Sequence, residues 1–127
     1  MTSYLLDSDI LMDFFKQKEE AVDLITKLVE KGNLLTSILS VTEIRAGWSK
    51  EQAKFFLQRF YNLIEIKNIT IEIAELAGQL RWEYKKKGIT LPAIDTLIAA
   101  TAIIEQCQLV TRNKKDFSMP QLKLYPL

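Results

Sequence analysis

The chain of 127 residues is 48% hydrophobic and 26% charged, a composition typical of one compact domain with its own core. It has no histidine and a single cysteine, which excludes His-based acid–base relays, His-ligated zinc, internal disulfides and thiolate zinc sites. Because 17 basic residues balance 16 acidic ones, the net charge gives no global reason to bind a polyanion, which would need a local basic patch. Any catalysis must use carboxylates, hydroxyls, amines or a hard metal ion.

Short apolar segments alternate with helical patterns along the chain, in an order that predicts the fold class. Helical patterns cover residues 10–31 with a break near 16–18, a segment beginning at Ser40, and residues 51–62, 72–87 and 92–106. The segments between them predict short strands at residues 4–6, 34–37, 63–66, 109–111 and 123–125. Strands alternating with helices predict a single α/β domain over residues 1–127, with a parallel sheet covered on both faces.

The apolar segments also bear on the location of the protein. Acids appear at Asp7, too early for a signal peptide, and the most apolar stretch, residues 97–104, is far shorter than a bilayer span. The lone Cys107 is typical of a reducing compartment. We therefore expect a cytoplasmic protein without a membrane segment.

Asp95 is the acid that fits a solvated surface least well. Its helical face continues through Ala99 and Ala102, where an ionised carboxylate is costly unless it is paired or bound to a metal. The alternative is a first-turn acid stabilised by the helix dipole, a gain of roughly 0.3–1 kcal/mol. Because the surrounding apolar face offers no partner, the pattern favours a functional role.

Two further acids follow predicted strands. Asp7 ends the first strand and Asp116 comes shortly after the fourth, and ligands of open parallel sheets bind outside the carboxyl ends of the strands. Thr111 and Asn113 are placed to orient these acids by hydrogen bonding. The alternatives are a polar turn for Asp116 and a turn or helix cap for Asp7, although Asp9 is better placed to cap a helix that begins near residue 10.

Glu43 has two competing interpretations. Ser40-x-x-Glu43 matches a capping box, in which the glutamate bonds back to the cap N–H. A helix that starts just after the second strand also lies at the same edge of the sheet as the other acids. The residues alone leave both roles open.

Crowded carboxylates repel one another and would repel a phosphodiester, and a hard divalent cation removes both problems. Such a cation activates water and stabilises charge on phosphate, which makes phosphodiester hydrolysis the natural reaction class. Basic residues beside these acids, or on the edge of the amphipathic stripe of residues 72–87 next to Ala74 and Gly78, are candidates for RNA phosphate contacts, although charged runs are usually only solvated. These candidates are Arg45, Arg81, Lys85 and Arg112.

At this point the sequence resembles a known family, the PIN domain, and more narrowly the VapC-type toxins of type II toxin–antitoxin systems. The resemblance spans essentially the whole chain. It is carried by Leu5-Leu-Asp7-Ser8, Ser40-Val-Thr-Glu43-Ile, Ala93-Ile-Asp95-Thr-Leu-Ile-Ala-Ala-Thr-Ala and Leu109-Val-Thr-Arg-Asn-Lys-Lys-Asp116-Phe.

The resemblance implies a three-layer α/β/α fold and a Mg²⁺- or Mn²⁺-dependent endoribonuclease that leaves a 5′-phosphate and a 3′-hydroxyl. It also implies a homodimer neutralised by a cognate VapB antitoxin. Asn113 stands where some relatives carry another acid, which predicts that a second metal binds weakly or only together with substrate. Matched residue by residue, the implied metal and catalytic site is Asp7, Glu43, Asp95 and Asp116, supported by Ser8, Thr111 and Asn113.

The alternative functions are an RNA-processing nuclease, a receiver-like signalling module and a non-catalytic interaction module. A PIN-type RNA-processing nuclease would use the same acids without an antitoxin. A receiver-like signalling module would need a phospho-acceptor Asp after the third strand, where the chain reads Glu65-Ile-Lys-Asn68. A non-catalytic interaction module would be expected to have lost some of the four acids, and all are present.

Overall fold

The structure, a computed structural model, describes residues 1–127 and contains six α-helices and five β-strands. The strands are β1 (Thr2–Leu6), β2 (Gly32–Ser37), β3 (Glu65–Lys67), β4 (Gln108–Val110) and β5 (Lys123–Leu124). The helices are α1 (Ser8–Phe15), α2 (Glu19–Lys31), α3 (Ile38–Ala46), α4 (Lys50–Leu63), α5 (Ile71–Lys86) and α6 (Ala93–Ile104), and a 3₁₀ turn covers Lys114–Asp116. None of the helices is both long and apolar enough to cross a membrane.

All five strands pair in parallel in one sheet, in the order β3-β2-β1-β4-β5. Side chains of a strand point alternately to the two faces. On β1, Leu5 therefore packs with α5 and α6, whereas Tyr4 and Leu6 pack with α1, α2, α3 and α4. The predicted α/β class, the parallel sheet and the implied three layers are confirmed.

The position of β2 is set by its close pairing with β1. The strand begins at Gly32, two residues before its predicted start, and Gly32 lies opposite Thr2. A Cβ atom at this position would collide with the carbonyl oxygen of Thr2. Glycine is required here by the close approach of the two backbones, which fixes where α2 ends and the strand starts.

Two predicted helix starts are wrong. Asp7, not Asp9, occupies the N-cap position of α1, and Asp9 lies in the first turn. Ser37, not Ser40, caps α3 by accepting a hydrogen bond from the N–H of Leu39. Since β1 and β2 run directly into these helices, each cap coincides with the end of a strand.

Candidate active site

The carboxyl ends of β1 and β4 lie side by side at the centre of the sheet. The chain leaves β1 for β2 and β3 on one side and then returns to β4 and β5 on the other. The strand order therefore reverses between β1 and β4, and this switch point opens a crevice where ligands of open α/β sheets bind. Asp7 follows β1 and Thr111 follows β4, so residues from opposite ends of the chain meet in this crevice.

Asp7 is a buried carboxylate, only 8% exposed. Its Oδ1 accepts a hydrogen bond from the N–H of Ser8 at 2.9 Å, and its Oδ2 accepts one from the Thr111 hydroxyl at 2.8 Å. Burial raises the pKa of Asp7 to about 6, the negative charges of Asp9 and Glu43 add to the shift, and the two hydrogen bonds oppose it. A cation at Asp7 would remove the cost of its ionised form.

The loop after β4 joins Asp7 to Asp116 through hydrogen bonds. The hydroxyl of Thr111, which donates to Asp7, accepts the N–H of Asn113 at 3.0 Å. The side-chain amide of Asn113 then donates to Asp116 Oδ2 at 2.8 Å. These contacts support the orienting role expected of Thr111 and Asn113, which stays a prediction.

Asp95 lies in the first turn of α6 and is half-buried. Its helical face leads to Ala99 and Ala102, both fully buried. Burial raises the pKa of the Asp95 carboxyl, and the negative charge of Asp116 adds to this shift. No hydrogen bond contributes to this shift, so Asp95 differs from Asp7 in having no donor that favours its charged form.

Glu43 is exposed on α3 and close enough for its charge to raise the pKa of Asp7. The capping-box alternative for Glu43 is wrong, because Ser37 caps α3 and Ser40 lies inside the helix. The Ser40 hydroxyl is buried and has no hydrogen-bond partner. Glu43 is therefore free of the local structural role that competed with the acidic site.

The charge interactions divide the four acids in two, because Glu43 acts on Asp7 and Asp116 acts on Asp95. We call Asp7, Glu43 and Thr111 the Asp7 side, and Asp95, Asn113 and Asp116 the Asp95 side. No three carboxylates or thiols converge closely enough to hold a metal ion directly. Mg²⁺ is usually held by one or two carboxylates and keeps several of its waters. The carboxylates on either side are therefore enough to bind a hydrated divalent cation.

The predicted RNA-binding residues differ in their surroundings. The guanidinium of Arg112 lies 2.7 Å from Asp13 and 3.7 Å from Asp9, and the backbone N–H of Arg112 donates a hydrogen bond to Asp9 Oδ2 at 3.1 Å. These bonds fasten the loop after β4 to α1. Arg45 donates to the carbonyl of its neighbour Trp48. Both guanidiniums already have acceptors within the protein, whereas Lys85 is exposed and makes no ion pair.

Sequence reasoning missed the anchoring role of Asp9 and Asp13. Asp9 was expected to be mainly a helix cap, and Asp13 was not singled out. Their spacing of four residues on α1 is the signal that could have identified them, because it places both carboxylates on one helix face beside the switch point.

Comparison with known proteins places the chain among characterised relatives. The PIN domain family matches residues 4–120. Ribonuclease VapC1 of Methanocaldococcus jannaschii is 33% identical over 124 residues, covering 95% of this chain and 85% of that protein. Ribonuclease VapC2 of Rickettsia felis is 32% identical and covers 95% of each chain.

Solved structures give the same relationship in three dimensions. VapBC2 from Rickettsia felis, bound to a DNA fragment from its promoter, superposes with a TM-score of 0.86 at 28% identity and covers 98% of both chains. A toxin–antitoxin complex from Klebsiella pneumoniae has a TM-score of 0.75 at 30% identity, covering 98% of this chain and 99% of that one. Both similarities extend over the whole sheet and all the helices described above.

Proposed function

Because the chain belongs to the PIN-domain family, and to the VapC ribonucleases within it, we propose that it is a metal-dependent endoribonuclease toxin. The observation that carries the proposal is the buried Asp7 carboxylate at the switch point, linked through the hydrogen bonds of Thr111 and Asn113 to Asp116. Burial and neighbouring negative charge raise the pKa of both Asp7 and Asp95. A divalent cation would offset this cost and stabilise both carboxylates in their ionised form. The substrate is RNA, and the reaction is hydrolysis of a phosphodiester bond.

Asp7 and Asp95 are the residues that would hold Mg²⁺, or Mn²⁺, with waters completing the coordination. A bound divalent cation supplies positive charge at the phosphate and favours ionisation of an attacking water. Thr111 fixes the orientation of Asp7 through its 2.8 Å hydrogen bond, and Asn113 does the same for Asp116. Glu43, exposed near Asp7, would accept a proton from the water, and the products would carry a 5′-phosphate and a 3′-hydroxyl.

Cleavage of total RNA by the purified chain tests this proposal. We expect Mg²⁺-dependent cleavage that ends on adding a chelator and is absent from Asp95→Asn. Asp23→Asn is the matched control, because Asp23 is an exposed acid on α2, and it should cleave at the wild-type rate. Cleavage that persists in chelator, or an inactive wild-type chain, would contradict a metal-dependent ribonuclease.

We also propose a VapB-type antitoxin as partner, because the solved structures similar to this chain are toxin–antitoxin complexes. An apolar groove of about 720 Å³ between α1, α2 and α4 suits an amphipathic segment of such a partner. Phe55 on its wall is 55% exposed, and the Arg59 guanidinium lies 3.8 Å from its ring centre. The groove is lined by Phe14, Phe15, Val22, Phe55, Phe56 and Leu63 among others.

Co-expression with the reading frame adjacent to its gene tests this partner. We expect a complex that cleaves no RNA and is lost in Phe55→Glu, while Tyr61→Glu, on an exposed part of the same helix, retains it. An active chain that purifies without a partner would instead indicate an RNA-processing nuclease.

The homodimer and the cytoplasmic location complete the proposal, and both rest on family resemblance and composition. Light scattering of the isolated chain at micromolar concentration should give twice the mass of one chain, which is 14.7 kDa. A monomer under these conditions would contradict the dimer without affecting the proposed chemistry.

A further inference from the structure

One exposed face of α5 combines positive charge with an exposed aromatic ring. We define the α5 face as Arg81, Trp82, Lys85 and Lys86, which lie within the last two turns of the helix. The indole of Trp82 is 61% exposed, and the Lys86 ammonium lies 4.3 Å from the centre of its ring. The spacing of three and four residues places these side chains beside one another on the helix surface.

The surface around Trp82 is open. Gly78 lies one turn before Trp82, and a Cβ atom at Gly78 would meet nothing within 4 Å. Ala74, one turn earlier, is also exposed. Next to the indole is a cavity of about 340 Å³ lined by Arg81, Trp82, Lys85, Thr90 and Leu91. A flat ligand therefore has space beside the indole.

This surface is joined to the acidic site. Arg81 Nε donates to the carbonyl oxygen of Leu91 at 3.2 Å, which fixes the end of α5 against the segment that leads into α6. Asp95 follows Leu91 by four residues, so their Cα atoms are at most about 14 Å apart. A strand whose phosphate lies at Asp95 therefore has the α5 face within reach of its flanking nucleotides.

The chemistry of the α5 face matches an unpaired nucleic-acid strand. The cations can neutralise phosphates, and the exposed indole can stack on a base. A single strand exposes the faces of its bases for such stacking, whereas a duplex buries them between neighbouring base pairs. The nearest acid on the helix, Glu83, already accepts a hydrogen bond from Gln79.

We propose that the α5 face binds single-stranded RNA beside the scissile phosphate, with Trp82 stacking on an unpaired base and the neighbouring cations contacting phosphates. This inference rests on the proposed ribonuclease function and names how that site recognises its substrate. It makes Trp82 a substrate-binding residue that takes no part in the chemical step.

Binding of a short single-stranded RNA to the Asp95→Asn chain tests the proposal without cleavage. We expect Trp82→Ala to raise Kd at least about fivefold and Trp82→Phe to restore most of the affinity. Lys85→Gln should reduce the slope of log affinity against log salt by about 0.7, the value for one phosphate contact on a single strand. The controls are Tyr61→Ala and Lys54→Gln, exposed on α4 across the sheet, which should leave affinity and slope unchanged.

Cleavage kinetics separate this proposal from the proposed function. In the otherwise wild-type chain, Trp82→Ala should raise KM with little change in kcat, because its contact is remote from the reacting atoms. If Trp82→Ala cleaves like wild type with unchanged Kd and KM, the proposal that the α5 face binds RNA is wrong, and the proposed ribonuclease function still holds. A duplex that competes as well as the single strand would also overturn it.

Two further results would overturn the proposal. If Trp82→Ala halves the mass in solution and leaves RNA affinity unchanged, the α5 face is a self-association surface. If the wild-type chain neither binds nor cleaves RNA, both the proposed ribonuclease function and the proposed binding of RNA by the α5 face are wrong.

Discussion

The two sides of the acidic site hold their carboxylates in different ways. On the Asp7 side, the buried carboxylate is fixed by hydrogen bonds from the Ser8 N–H and the Thr111 hydroxyl. On the Asp95 side, the carboxylate is half-buried, with burial and the charge of Asp116 both acting against its ionised form. The Asp7 carboxylate is therefore oriented by the protein before any ligand arrives, whereas the Asp95 carboxylate has no donor that favours its charge.

This difference indicates that the carboxylates of Asp7 and Asp95 contribute differently to the binding of a cation. A carboxylate that is already oriented loses little freedom when it binds a cation. A carboxylate without donors gains most from a cation, because nothing else in the protein favours its charge. We expect substitutions at Asp95 to act through charge alone, and substitutions around Asp7 to act through both charge and orientation.

The largest expected effect is at Asp95. Asp95→Asn keeps the volume of the side chain and removes its charge, so we expect metal-dependent RNA cleavage to be abolished. Because burial and Asp116 disfavour the ionised form, the free energy of unfolding without metal should be unchanged or higher. RNA cleavage and thermal melting measure the two effects, and cleavage at the wild-type rate or a clear fall in melting temperature would remove Asp95 from the site.

Glu43→Gln should have the next largest effect. The change removes a negative charge beside Asp7, and we expect cleavage at saturating Mg²⁺ to fall by about 10²-fold, within the usual range for loss of an acid–base group. Stability should barely change, because Glu43 is exposed and does not cap α3. Near-normal cleavage would reduce the site to Asp7, Asp95 and Asp116.

These two acids also show what the sequence could predict. The half-buried position of Asp95 could be predicted because its signal is local: a charged residue interrupts an apolar helix face within a few residues. The alternative for Glu43 was wrong because Ser37 and Ser40 are both plausible caps. The choice depends on where β2 ends, and Ser37 is the residue that pairs with Lys67 of β3. That pairing lies outside the local sequence.

The contacts of Asp7 were harder to predict for the same reason. Its bond with Thr111 joins residues 104 positions apart and exists because β1 pairs with β4. Alternation of strands and helices predicted the α/β class with a parallel sheet covered on both faces, and the acids pointed to one edge of the sheet. Strand order decides which of these acids become neighbours, and no short segment of the sequence encodes it.

The pH dependence of stability tests the buried charge on the Asp7 side. The pKa of Asp7 is raised from 3.8 to about 6, so the native state keeps a proton that the unfolded state has released. In chelator, the free energy of unfolding should therefore fall as pH rises from about 4 to about 6. The contribution of Asp7 is about 2–3 kcal/mol, since one pKa unit corresponds to about 1.4 kcal/mol.

Urea denaturation at pH 4 and pH 7 measures this contribution. Asp7→Asn should remove the fall in the free energy of unfolding that Asp7 causes. The variant should therefore be more stable than wild type at pH 7 and about as stable as wild type at pH 4. Asp23→Asn, which removes an exposed acid, should keep the wild-type pH profile. An identical decline in Asp7→Asn would show that Asp7 does not carry the buried charge.

The smallest expected effect concerns orientation on the Asp7 side. Thr111→Val keeps the shape of the side chain but removes the hydroxyl that donates to Asp7 and accepts the Asn113 N–H. Groups that orient metal-binding carboxylates typically contribute 10–100-fold to metal affinity or activity. We expect the low end, roughly a tenfold rise in the Mg²⁺ concentration needed for half-maximal cleavage, because Ser8 still holds the other oxygen of Asp7.

The Mg²⁺ dependence distinguishes orientation from a general loss of stability. Thr111→Ser restores the hydroxyl and should recover the wild-type Mg²⁺ requirement, although it removes a buried methyl group. If Thr111 contributes only packing, Thr111→Ser should lower stability at least as much as Thr111→Val. Neither variant should then change the Mg²⁺ concentration needed for half-maximal cleavage. Recovery in the serine variant alone would establish that the hydrogen bond from the loop after β4 prepares Asp7 for its cation, in contrast to Asp95, which lacks such a donor.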